Sequence, residues 1–112
     1  MRTVRLHPAA AQEAVEAAAW YELQQPGLGA EFAGALQAAL DLLEAEAFPL
    51  IPMSGMAARR GAMRLILKRF PFAIVVVDQG DEILILAVAH HSRRPGYWRD
   101  RQSASQVQDA AA

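Results

Sequence analysis

The apolar positions change period twice along the chain. Thr3–His7 (TVRLH) alternates apolar and polar residues, which predicts a short strand. Pro8 suits the first turn of a helix, where its missing N–H costs nothing, so the alanine-rich run after it predicts a helix to about Gln25. On that helix Ala14, Ala18 and Tyr21 share one face, with Val15 and Ala19 beside them. The stretch QPGLG (Gln25–Gly29) breaks it. Phe32, Leu36, Leu40 and Leu43 then recur at the helical period and predict a second helix that ends before Pro49. The small side chains of the first helix allow the two to pack closely as a hairpin.

Beyond this hairpin the helical period is lost. FPLIPMSGMAARRG (Phe48–Gly61), with two prolines and two glycines, reads as a loop. AMRLILKR (Ala62–Arg69) sets Met63, Leu65 and Leu67 against Arg64, Ile66 and Lys68, as a strand does. FAIVVV (Phe72–Val77) and EILILAVA (Glu82–Ala89) are continuous apolar strands joined by the turn DQGD. The predicted fold is α+β: a strand, a helical hairpin, then a three-stranded antiparallel meander. One domain spans residues 1–101, and the tail 102–112, lacking an apolar stripe, is expected to fray. Ile83, Ile85 and Ala87 alternate with the equally apolar Leu84, Leu86 and Val88. Two helices cover only one face of such a sheet, so an apolar patch is expected on the other, marking a protein partner.

Composition narrows the chemistry. The chain has no cysteine, which excludes disulfides, thiolate catalysis and cysteine-ligated zinc. No apolar run approaches the roughly 20 residues that span a bilayer, and the N-terminus lacks a signal-peptide core. A cytoplasmic protein with no membrane association is the expectation. The net charge of −1 hides an asymmetry. Residues 1–58 carry two arginines against seven acidic residues, whereas residues 59–101 carry nine basic residues against four acidic ones. The second half therefore suits an acidic partner or phosphates.

The basic residues cluster around the last strand. Arg64 stands within a strand, where rigid backbone can hold its guanidinium for bidentate binding of an anion. Arg93, Arg94, Arg99 and Arg101 follow the last strand, with His90, His91, Tyr97 and Trp98 among them. The two histidines alternate in direction, so at most one is expected to share a site with Arg64, and alternation alone does not say which. Tyr97 and Trp98 either stack on a base or close the edge of the core, and Pro95–Gly96 is the turn that folds them back. A metal site is not expected, because the histidines are adjacent and no acidic cluster lies near them. No cofactor is expected either. No serine sits on a G-x-S-x-G turn. Metal-free RNA cleavage needs a base, an acid and cations for the developing phosphorane. His90 or His91, Tyr97, and Arg64 with Arg93 are the candidates for those catalytic roles. Arg64, Arg93, Arg94 and Trp98 are the candidates for binding a target.

Three segments, AAAWYELQQPGLGAEFAGALQAAL, RFPFAIVVV and ILAVAHHSRRPGYW, together resemble the RelE/ParE superfamily of bacterial toxins from type II toxin–antitoxin modules. The resemblance runs from Val4 to about Arg101. It implies a helical hairpin on an antiparallel sheet, and a growth-inhibiting toxin held in a hetero-oligomer with a cognate antitoxin. It leaves two targets open. RelE-like members cut mRNA on the ribosome, whereas ParE-like members poison DNA gyrase without a nuclease site; a non-toxic binding module is a third outcome. Arg64 matches the family's arginine on the first strand after the loop, Arg93 the arginine after the last strand, and Tyr97 the tyrosine of nuclease members. Ribosome-dependent members are rich in lysine, while this chain has one, Lys68, and a sequence pI near 6.3. Phe72 also stands where relatives often carry a tyrosine. Affinity for RNA rests largely on phosphate neutralisation, so the balance favours gyrase and a non-enzymatic mode of action.

Overall fold

The computed structural model describes residues 3–45, 51–52, 61–94 and 96–101. Strand β1 (Thr3–Leu6) leads into helices α1 (Pro8–Gln24) and α2 (Leu28–Glu44), followed by β2 (Ile51–Pro52), β3 (Ala62–Ile66), β4 (Phe72–Asp78) and β5 (Glu82–His90). The sheet order is β1-β5-β4-β3-β2. β1 pairs in parallel with β5, and every other pairing is antiparallel. The α+β architecture read from the sequence is the one observed.

Local chemistry accounts for each helix boundary. The His7 imidazole accepts a hydrogen bond from the Ala9 N–H at 3.0 Å and caps α1, with Pro8 in its first turn. The hairpin turn is tied by Glu22, whose carboxylate accepts from the Gly27 and Gly29 amides at 2.9 and 3.1 Å. Gly27 has φ 90°, a left-handed conformation that side chains disfavour. Phe32, Leu36 and Leu43 of α2 are buried as their spacing predicts, and Leu40 is half-buried at the edge of the same cluster. They pack with Leu65, Ile74, Val76, Ile83 and Ile85 from the sheet. Tyr21, Phe32, Phe70 and Phe72 meet in an aromatic cluster, with ring centroids 5.0–5.4 Å apart for most pairs.

Four expectations are corrected. Ile51–Pro52, read as part of a loop, pairs with Arg64 and Met63 and adds a short strand to the meander. Two residues are too few to display alternation, and a proline is tolerated on such an edge. β3 ends at Ile66 rather than Arg69, because the Leu67 amide closes a turn on the Phe72 carbonyl. On α1, Ala10 and Ala17 are buried, while Val15 is 62% exposed and Ala19 also faces outward. The sheet face away from the helices is not open. Val75, Val77, Leu84, Leu86 and Ala87 are buried there, with Trp98 packed among them. Only Ile66, at 39%, is a large apolar side chain exposed on that face among the described residues. The tail 102–112 and Pro95 lie outside the described residues.

A register shift between Val75 and Val76 explains why alternation misassigned β5. Val75 opposes Ala87 but Val76 opposes Ile85, so Leu86 is the extra residue of a bulge. Leu84, Leu86 and Ala87 therefore lie on the face away from the helices, and Ile83, Ile85 and Val88 on the helix face. Every side chain beyond the bulge is reversed relative to simple alternation.

Candidate functional site

The end of β5 is built around a partnering problem. β1 has only four residues, and its pairing ends where the His7 amide donates to the Ile85 carbonyl at 2.9 Å. The next groups on that edge of β5, the Leu86 carbonyl and the Val88 amide, have no strand beside them. Unpaired and shielded from water, each would be costly. Arg101 donates to the Leu86 carbonyl at 3.0 Å and the Glu13 carboxylate accepts from the Val88 amide at 3.0 Å. The two side chains pair with each other at 2.8 and 3.0 Å through both carboxylate oxygens. They stand in for the missing length of β1.

Tyr97 is the third member of this network. Its hydroxyl donates to Glu13 at 2.7 Å, and the Arg93 and Arg101 guanidinium carbons lie 4.0 and 5.0 Å from its ring centroid. Arg93 also reaches Glu13 at 3.9 Å. Burial opposes ionisation of Glu13, but bonds from Arg101, Tyr97 and the Val88 amide outweigh it and hold the carboxyl below its ordinary value. Burial, reinforced by the bond to Glu13, pushes the Tyr97 hydroxyl up to about 12. The bond to Glu13 raises Arg101 further above its already high value.

Among the hollows that the described residues form beside this network, two adjoin the end of β5. The first, of about 480 Å³, lies between α1 and β5 and is walled by Ala17, Trp20, Tyr21, Phe72, Val88 and His90. The second, of about 240 Å³, lies on the opposite face of the sheet, over Ile66, Ala73, Val75 and Ala89. Arg64, His91, Arg93, Arg94, Tyr97 and Trp98 surround it. His91 occupies the Arg64 face because the bulge reverses the parity of β5, and its amide donates to the Pro71 carbonyl at 2.9 Å. His90 lies edge-on to Phe72, centroids 5.1 Å apart, and borders both hollows. Its Nδ1 accepts from the Ser92 amide at 3.0 Å and lies 2.8 Å from the Ser92 hydroxyl. Both histidines thus border the basin, where at most one was expected.

The sequence-predicted residues separate into two groups. Arg64, His91 and Arg94 face the open basin. Arg93 and Tyr97 line it too but are engaged by Glu13, and Trp98, 2% exposed, closes the core instead of offering a stacking surface. Glu13 and Arg101 were not assigned a site role from the sequence. A signal existed: Glu13 falls on the face of α1 defined by the buried Ala10 and Ala17, a charged side chain among core positions. Among the described residues no cluster of histidine and acidic side chains fits a metal ion, and no helix is long and apolar enough to cross a membrane.

The family defined by the ParE toxin of the type II toxin–antitoxin system ParDE matches residues 4–95. The chain belongs to this toxin family, and with it to the RelE/ParE superfamily. A solved structure described as a chromosomal ParDE toxin–antitoxin system from P. aeruginosa shares the fold. Its TM-score is 0.68 at 20% identity, over 80% of this chain and 96% of that one. Comparison with curated proteins finds no match.

Proposed function

We propose that this toxin inhibits growth by binding DNA gyrase, acting in the cytoplasm, and that a cognate antitoxin neutralises it in a hetero-oligomeric complex. The observation that carries the choice of target is the state of Tyr97. A nuclease needs a group that exchanges a proton near neutral pH. The Tyr97 hydroxyl is committed to Glu13 at 2.7 Å and pushed up to about 12, and Arg93 is stacked on its ring. Both residues serve the anchoring of the C-terminal segment, which favours docking over catalysis.

One observation favours the second reading, a RelE-like ribosome-dependent endoribonuclease: Arg64, His91 and Arg93 border the same basin. Purified toxin assayed side by side on gyrase supercoiling and on ribosome-bound mRNA separates the two. Inhibited supercoiling with intact mRNA is expected. Ribosome-dependent cleavage that disappears in His91→Ala, with supercoiling unaffected, overturns the gyrase reading.

A further inference from the structure

We infer that the basin over β3–β5 is a docking site for an acidic peptide segment that alternates carboxylate and apolar side chains. The inference deepens the reading above, in which this toxin acts by binding a protein, by naming the chemistry of what this face binds.

The cations of the basin are available. Arg64 and Arg94 are exposed, and among the described residues neither has a carboxylate within ion-pair reach. Arg93, by contrast, is turned toward Glu13. Arg64 is fixed on β3 opposite Val75, whereas Arg94 follows the end of β5, so the two arginines border the hollow from different elements instead of sharing one point. Between them the floor is apolar. Ile66, Ala73 and Ala89 form one cross-strand row, with Ile66 the exposed member. Two open arginines bordering an apolar floor are complementary to carboxylates neighboured by an aliphatic side chain.

The same geometry argues against nucleic acid. Single-stranded binding relies on exposed aromatic faces for base stacking. Trp98 is 2% exposed and the Tyr97 ring carries the Arg93 guanidinium, so neither aromatic of the basin offers a free face. A phosphate backbone would meet the arginines, but its bases would find short aliphatic side chains and two histidines in place of an open Tyr or Trp face.

The test titrates the purified chain with a fluorescent decapeptide of alternating Asp and Leu. Its Asn-for-Asp analogue and a decathymidine strand serve as comparators, by anisotropy at two salt concentrations. The acidic peptide is expected to bind about tenfold or more tightly than the neutral analogue, and less tightly at high salt. Arg64→Ala and Arg94→Ala should each weaken it several-fold. Both side chains are exposed, so unchanged thermal melting is expected and separates lost docking from lost folding. Equal binding of the two peptides, or indifference to both substitutions, overturns the inference, as does tighter binding of the oligonucleotide that the same substitutions abolish. Supercoiling is scored separately: a wild-type chain that binds the acidic peptide but leaves gyrase untouched upholds the basin while refuting the target.

Discussion

Glu13 carries more of this structure than any other polar side chain described. Its side chain is 13% exposed, it accepts from Tyr97, Arg101 and the Val88 amide, and it joins α1 to β5 and to the C-terminal segment. Removing its charge leaves Arg101, 18% exposed, without a counter-ion and the Val88 amide with a weaker acceptor. Glu13→Gln is therefore expected to destabilise by about 2–4 kcal/mol in urea unfolding. A change below about 0.5 kcal/mol, the scale of ordinary surface substitutions, would show that the network is ornamental. The pH dependence follows from the two shifts. The lowered Glu13 carboxyl contributes stability that is present above its ordinary value of 4.5 and is lost as pH falls below it through the folded value. For Tyr97 the folded value lies above the ordinary 10, so its contribution is present below pH 10 and is lost as pH rises towards about 12. Tyr97→Phe should flatten the alkaline limb of a stability–pH curve and weaken the acid limb only in part, because Arg101 and the Val88 amide still hold the Glu13 carboxyl down. An unchanged alkaline limb would mean that another group titrates there.

At the scale of elements, the two glycines of α2 test how closely the hairpin is packed. A Cβ built on Gly29 would lie 2.5 Å from the Ala18 carbonyl oxygen, a backbone atom of α1 that cannot move aside. One built on Gly34 meets nothing within 4 Å. Gly34→Ala should stabilise by about 0.5–1 kcal/mol through helix propensity alone. Gly29→Ala should destabilise by about 1–3 kcal/mol as α1 and α2 are pushed apart. Matching signs in thermal melts would refute this account of the crossing. Within the same helix Leu43→Ala, at a site 2% exposed, should cost about 2–5 kcal/mol and Leu40→Ala less, because Leu40 is only half-buried. These elements were legible in the sequence because period is a local property: the Phe32–Leu43 stripe and the apolar runs of β4 and β5 announce themselves. What was hidden is non-local. The bulge at Leu86 leaves no mark in a run that is apolar on both faces, yet it decides which histidine shares the Arg64 face. The burial of the second sheet face is equally unreadable in EILILAVA, since Trp98, which packs there, lies eight residues beyond the strand. Glu13 received no role from the alanine-rich helix because its partners, Val88, Tyr97 and Arg101, are at least 75 positions away.

For the whole molecule the decisive feature is where charge lies relative to total charge. The acidic residues from Glu13 to Glu44 lie on the two helices, while Arg64 and Arg94 border the sheet face away from them. With a net charge of −1 and a single lysine, the chain has little long-range attraction for ribosomal RNA, although its basin attracts carboxylates at short range. It should therefore stay in the supernatant when sedimented with ribosomes at physiological salt. Induced expression without an antitoxin should produce filamentous cells with DNA damage before protein synthesis falls. Substitutions sharpen the outcome. Arg93→Ala is a poor probe, since Arg93 also covers Tyr97 and reaches Glu13, so loss of toxicity there mixes binding with folding. Arg64→Ala and Arg94→Ala remove exposed cations only and should weaken toxicity. His90→Ala and His91→Ala should leave it within a few-fold, because a docking surface that is mainly arginine keeps its charge without them. A nuclease would behave oppositely: loss of its proton-transfer group costs on the order of a hundredfold or more in rate. Translation arrest preceding filamentation, ribosome co-sedimentation, and protection of cells by either histidine substitution would together replace the docking toxin with an enzyme.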